Sequence, residues 1–178
     1  MKFEKYINEA KPMKDIMIGF PIKETSIKRI RSYIKSFFIR NNITYEKVTD
    51  PHFTVVQITG TYEKDDIIRE MNSLPSELTF NPKGVRVFKS PRFKKDFWVL
   101  EYKPNNDFVK IFKELSEKYE IRKFGEIKPH VSILTTPIEQ VSPIMFNDIE
   151  KSMPPLPKIK TKTLGLWNKN FSLDYLRK

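Results

Sequence analysis

The chain has 178 residues, 39% of them apolar and none of them cysteine, and its 33 basic residues outnumber 22 acidic ones to leave a net charge of +11. Such a length and composition suit one compact domain or two small lobes, not a disordered chain. The lack of cysteine excludes disulfides, Cys-zinc sites and thiol nucleophiles; no run approaches the roughly 18 apolar residues of a membrane span, no secretory signal is visible, and the positive field favours polyanionic partners such as RNA, DNA, nucleotides or acidic proteins, although a lysine-rich surface also serves solubility alone.

The first ten residues, MKFEKYINEA, form a short amphipathic segment broken by KPMK, so residues 1–14 are set apart as an N-terminal peptide. DIMIGFPI (15–22) predicts a buried strand. ETSIKRIRSYIKSFFIR (24–40) predicts a helix with Ile27, Ile30, Ile34, Phe37 and Phe38 on its apolar face, Lys28, Arg29, Arg31 and Lys35 elsewhere, and Thr25 or Ser26 as cap. HFTVVQITG is a strand and DDIIREMNSL a short helix. GVRVFKS and DFWVLEY are strands joined by the basic loop PRFKK. NNDFVKIFKELSEKYE is a second long helix, with Phe108, Ile111, Phe112, Leu115 and Tyr119 on one face. HVSILTT is a strand, SPIMFNDIEKSM is a helix ended by MPPLP, and TKTLGLWNKNFSLDYL holds two strands around NKN.

The order repeats: each half runs strand, long helix, histidine strand, short helix, strand. His52 to Phe88 spans 36 residues and His130 to Trp167 spans 37; the two histidines, the only ones in the chain, lie 78 apart. This periodicity points to a duplication of one α/β unit. Both histidines follow proline and precede an apolar residue and a hydroxyl residue, as PHFT and PHVS. Residues two apart share a strand face, so His52 projects with Thr54 and His130 with Ser132, while Phe53 and Val131 turn to the core. If the lobes pack about a pseudo-twofold axis, two imidazoles and two hydroxyls line one cleft, with no metal ligands required. That set suits in-line displacement at phosphorus: one imidazole takes the nucleophile's proton, the other protonates the leaving oxygen, and the hydroxyls hold the non-bridging oxygens. Free imidazole titrates at about pH 6.5, so both forms are available around neutrality.

At HFT (52–54) and HVS (130–132) the sequence resembles the 2H phosphoesterase superfamily, which includes LigT-type RNA 2′,3′-cyclic phosphodiesterases and viral 2′-5′-oligoadenylate phosphodiesterases. The resemblance covers roughly residues 15–176. It implies an α+β, duplicated two-lobe fold with two antiparallel-type sheets flanking a central cleft and helices outside, in one domain (15–178) with lobes near 15–90 and 96–178. It implies His52 and His130 as general base and acid, in an order left open, Thr54 and Ser132 as phosphate ligands, and no metal or other cofactor. The implied substrates are RNA-like or nucleotide phosphodiesters: a 2′,3′-cyclic phosphate, a 2′-5′ linkage or a cyclic oligonucleotide signal. The competing expectation is a basic nucleic-acid-binding or internal head protein that keeps the fold without catalysis.

The leading decapeptide resembles the capsid-targeting sequence of internal head proteins of large tailed phages, with Ile7, Asn8 and Glu9 before a cleavage point at Glu9–Ala10. This implies a prohead scaffold and protease as partners, packaging in the virion and injection into the host cytoplasm. Residues 1–9 hold two lysines and two glutamates, so the remaining chain keeps its +11. A monomer without membrane attachment is expected. Further substrate-binding candidates are Trp167, as a base-stacking surface, Arg92 in the basic loop beside Lys94 and Lys95, and Tyr45; Phe88 and Trp98 are expected in the core.

Overall fold

A computed structural model describes residues 13–122, 127–170 and 172–177, apart from the side chains of Met13, Lys14 and Arg92. In chain order its elements are β1 (Met13–Pro21), α1 (Glu24–Arg40), β2 (Glu46–Lys47), β3 (His52–Tyr62), α2 (Lys64–Ser73), β4 (Thr79–Ser90), β5 (Lys95–Lys103), α3 (Asn106–Lys118), β6 (His130–Pro137), α4 (Pro143–Ser152), β7 (Ile159–Lys160), β8 (Gly165–Trp167) and β9 (Leu173–Leu176). Among the described residues no helix is long and apolar enough to cross a membrane.

All the strand pairs are antiparallel, in the order β7-β4-β5-β6-β3-β1-β8-β9, with β2 added to β6. That order is a palindrome of the repeat: β3 matches β6, β1 matches β5, and β8 matches β4. The two expected sheets meet through a single register pair, Phe53 with Val131, and so join as one. The halves also exchange strands. β4, from the first sequence half, pairs with β5, and β8, from the second, pairs with β1. Each half-sheet is therefore built from both repeats.

The core lies on the face carrying Phe53 and Val131, both fully buried. Phe53 stacks on Phe80 with ring centres 4.0 Å apart and meets Tyr102 edge-on; Phe80 in turn meets Phe108 of α3. α1 buries Ile27, Ile30, Ile34 and Phe38, the last against Trp98 at 5.0 Å. Arg31, expected on the polar side, is buried with them. Its long stem lies along apolar surface while its guanidinium reaches Val48 O and Glu24. The expected cap is also different: Lys23 precedes the helix without a side-chain bond, and Thr25 and Ser26 lie inside its first turn. Asn105 caps α3 by accepting from Phe108 N at 2.7 Å, and Ser142 caps α4. The strands β2 and β7, two residues each, show no periodicity and are held only by their partners.

Candidate active site

Each histidine opens its strand behind a proline that has no N–H. The Pro51 carbonyl accepts from Ile22 N at 2.7 Å and the Pro129 carbonyl from Tyr102 N at 2.8 Å, so each turn is tied to the neighbouring strand. The carbonyl one residue earlier meets the ring: His52 Nδ1 lies 2.7 Å from Asp50 O, and His130 Nδ1 lies 2.8 Å from Lys128 O. A carbonyl only accepts, so Nδ1 carries the hydrogen and donates it. In the neutral ring Nε2 then keeps its lone pair.

An aromatic ring holds each imidazole from the other side. Trp167 lies 4.8 Å from His52, and Phe88 meets His130 edge-on at 4.9 Å. These two aromatics occupy equivalent places in the palindrome, opposite Met17 and Phe97. Gly165 makes the Trp167 arrangement feasible, because a Cβ there would fall 2.8 Å from the indole.

The antiparallel pair Phe53–Val131 places His52 across from Ser132 and Thr54 across from His130, all on the face opposite the core. The histidines thus stand diagonally, with a hydroxyl beside each. Both repeats carry a bulge just past the hydroxyl residue. Register shifts at Ile18/Gly19 and Trp98/Val99 leave Val55 and Ile133 as the extra residues. Gly19 is dictated by this geometry: a Cβ on it would sit 2.3 Å from Phe53 O. Thr54 Oγ1 donates to the Met17 sulfur at 3.1 Å, a weak bond that a phosphate oxygen would outcompete.

Burial holds the pKa of both imidazoles below its ordinary value. At His52 the Asp50 carbonyl opposes this and the nearby charge of His130 adds to it; at His130 the Lys128 carbonyl and Glu101 oppose it. The charge of His130 is thus close enough to be felt at His52.

The predicted substrate residues are dispersed. Trp167 is 1% exposed and buttresses His52, so its ring offers no open stacking surface. Phe88, expected in the core, is half-buried at the site beside His130. Tyr45 packs on Phe38 at 5.9 Å, with Lys35 over its ring, on the helix side of the sheet. Arg92 belongs to a 3-10 turn, Pro91–Phe93, and its side chain lies outside the described residues, as do Glu9 and Ala10. Lys95 is engaged by Glu46. A groove of about 790 Å³ between β4 and α4, lined by Val87, Trp98 and Phe146 among others, lies on the core side and contains neither histidine.

Sequence reasoning missed Glu101. It pairs in register with His130, is 1% exposed, and binds Lys83 at 2.5 Å and Arg86. Burial works against its charge, but the two cations outweigh that and hold its carboxyl below the usual range. The available signal was a lone acid inside the apolar run FWVLEY.

A duplicated α+β chain with one histidine strand per repeat, joined back to back in an antiparallel sheet, has the fold of the LigT-like 2H phosphoesterases. Solved structures that share it include Usb1 of Kluyveromyces marxianus (TM-score 0.59, 9% identity, covering 92% of this chain and 97% of that one). They also include Escherichia coli LigT complexed with 3′-AMP (TM-score 0.55, 11% identity, 94% and 93%) and TT0787 of Thermus thermophilus (TM-score 0.57, 12% identity, 91% and 96%). The yeast protein is also known with uridine monophosphate bound. No protein-family model and no curated protein sequence matches this chain.

Proposed function

We propose that this protein is a metal-independent phosphodiesterase that cleaves an RNA-like or nucleotide phosphodiester through His52 and His130. The observation that carries this reading is the mirrored pair of H-x-[S/T] strands, whose imidazoles share one face of the β3–β6 junction. One ring accepts the proton of the attacking oxygen at Nε2. The P–O bond to the leaving oxygen breaks with its electron pair, and the second ring supplies the proton that oxygen needs. Thr54 and Ser132 donate to the non-bridging oxygens as negative charge builds. The nucleophile is water for a 2′,3′-cyclic phosphate and a ribose hydroxyl for a 2′-5′ or cyclic oligonucleotide linkage; the latter step leaves a 2′,3′-cyclic end. The nucleotides bound by the LigT and Usb1 structures support a substrate of this class.

Incubation with a panel of 2′,3′-cyclic, 2′-5′-linked and cyclic oligonucleotide substrates tests the reading. His52→Ala and His130→Ala are each expected to lower turnover on the order of 10²–10⁴-fold with melting retained, and EDTA is expected to leave turnover unchanged. If no substrate is cleaved and neither substitution changes the protein's behaviour, the chain is a non-catalytic basic nucleic-acid-binding or internal head protein.

The N-terminal decapeptide supports delivery in a phage virion and action on host defence nucleotides or RNA ends. Mass spectrometry of virions is expected to find a chain beginning at Ala10; a chain retaining Met1 would remove the processing idea.

A further inference from the structure

Both half-sites carry a histidine, a hydroxyl and an aromatic ring at equivalent places, but the residue across from each histidine differs in charge. Across from His52 in the β1–β3 register stands Pro21; across from His130 in the β5–β6 register stands Glu101. Cross-strand partners share a face, with Cβ atoms about 5 Å apart. Glu101 is almost wholly buried; Lys83 hydrogen-bonds one of its oxygens and Arg86 forms an ion pair with the other, both reaching in from β4.

We infer that Glu101, clamped by Lys83 and Arg86, is a positioning residue that keeps His130 as the proton-carrying ring of the pair and leaves His52 as the base. The inference rests on the phosphodiesterase reading for its consequence, that His130 protonates the leaving oxygen. It does not need that reading for the charge placement itself.

The charges around each ring decide the order. His130 faces Glu101 from β5, His52 from β3 and, beyond Glu101, Lys83 and Arg86 from β4. The lysine and arginine side chains are 47% and 59% exposed, so solvent weakens their reach to the ring, and the buried carboxylate is the member of this cluster whose charge acts on His130. His52 faces His130 from β6, Pro21 from β1 and Trp167 from β8; the exposed carboxylate on its own turn, Asp50, favours the charged ring, but less than the charge of His130 opposes it. A buried carboxylate therefore favours the imidazolium at His130, and the neighbouring ring's charge disfavours it at His52.

Proton NMR titration of the imidazole Cε1–H signals in the full chain tests this, with His52→Ala and His130→Ala assigning the signals. His130 is expected to titrate at the higher pH. Glu101→Gln is expected to lower its midpoint by about one pH unit and to move His52 far less. A higher midpoint at His52, or a Glu101→Gln chain in which neither ring or both rings move equally, overturns the inference. Should Glu101→Gln fail to fold, the order of the two midpoints in the unaltered chain still decides. Turnover on an aryl phosphodiester, whose leaving group needs no proton, assigns the roles. Activity recovered at least tenfold in His130→Ala but not in His52→Ala supports the assignment; recovery in His52→Ala instead overturns it. Midpoints in the expected order in a protein that cleaves nothing would remove the phosphodiesterase reading and leave the charge placement standing.

Discussion

His52 and His130 each donate their Nδ1 hydrogen to a carbonyl two residues back, and that bond directs the remaining lone pair of each neutral ring. Burial disfavours the charged form of both rings in the folded chain. Both folded pKa values thus lie below the unfolded value of about 6.5. The sign follows by linkage: the stability linked to neutral rings is fully present above about pH 6.5 and is lost as the pH falls from there toward the folded values. The melting midpoint is expected to decline on acidification below about pH 6.5, and a chain carrying His52→Gln and His130→Gln is expected to show a shallower decline over the same range. The same two titrations bound the turnover profile, which is expected to be bell-shaped; a rate independent of pH would contradict acid–base catalysis by these rings.

Between single residues and the whole sheet, the device that aims the site is the pair of bulges on β3 and β6. Each extra residue, Val55 or Ile133, is buried and follows the hydroxyl residue, so the strand twists where Thr54 or Ser132 projects. Gly19 lets β1 approach the β3 bulge, and its missing Cβ would otherwise meet Phe53 backbone atoms that cannot swing away. Gly19→Ala is expected to cost about 1–3 kcal/mol, read as a lowered denaturation midpoint, with turnover falling further because Thr54 pairs with this residue. Phe53→Ala removes the ring that joins the two half-sheets to α3 through Phe80. It is expected to cost about 3–5 kcal/mol by chemical denaturation.

At the scale of the molecule, strand exchange makes neither sequence repeat a self-sufficient unit. Residues 13–90 alone would leave β4 without β5, and residues 95–177 would leave β8 without β1. Separately produced halves are expected to show no cooperative melting, and mixing them is expected to restore it; a half that melts cooperatively by itself would contradict this. The net charge of +11 acts over the whole surface. Association with RNA is expected to weaken steeply as salt rises, because counterion release supplies that part of the affinity.

The repeat, the long helices and the histidine strands were legible in the amino-acid order, because each rests on local periodicity that a single element imposes. ETSIKRIRSYIKSFFIR reads as a helix over the same residues that form one, and HFT and HVS place histidine and hydroxyl on one face through strand alternation alone. What depends on neighbours remote in sequence emerged only with the folded sheet. Arg31 is buried because Val48 O and Glu24 meet it, Trp167 is closed off over Gly165 and turned against His52, and Phe88 is drawn to the site because β4 joins the other repeat's half of the sheet. Glu101 has the same origin. A lone acid in an apolar strand is uninformative until β5 sets it across from His130 and β4 brings two cations to its carboxylate. Alternation gives a residue its face; only register gives it a partner, and the asymmetry of this site is one of partners.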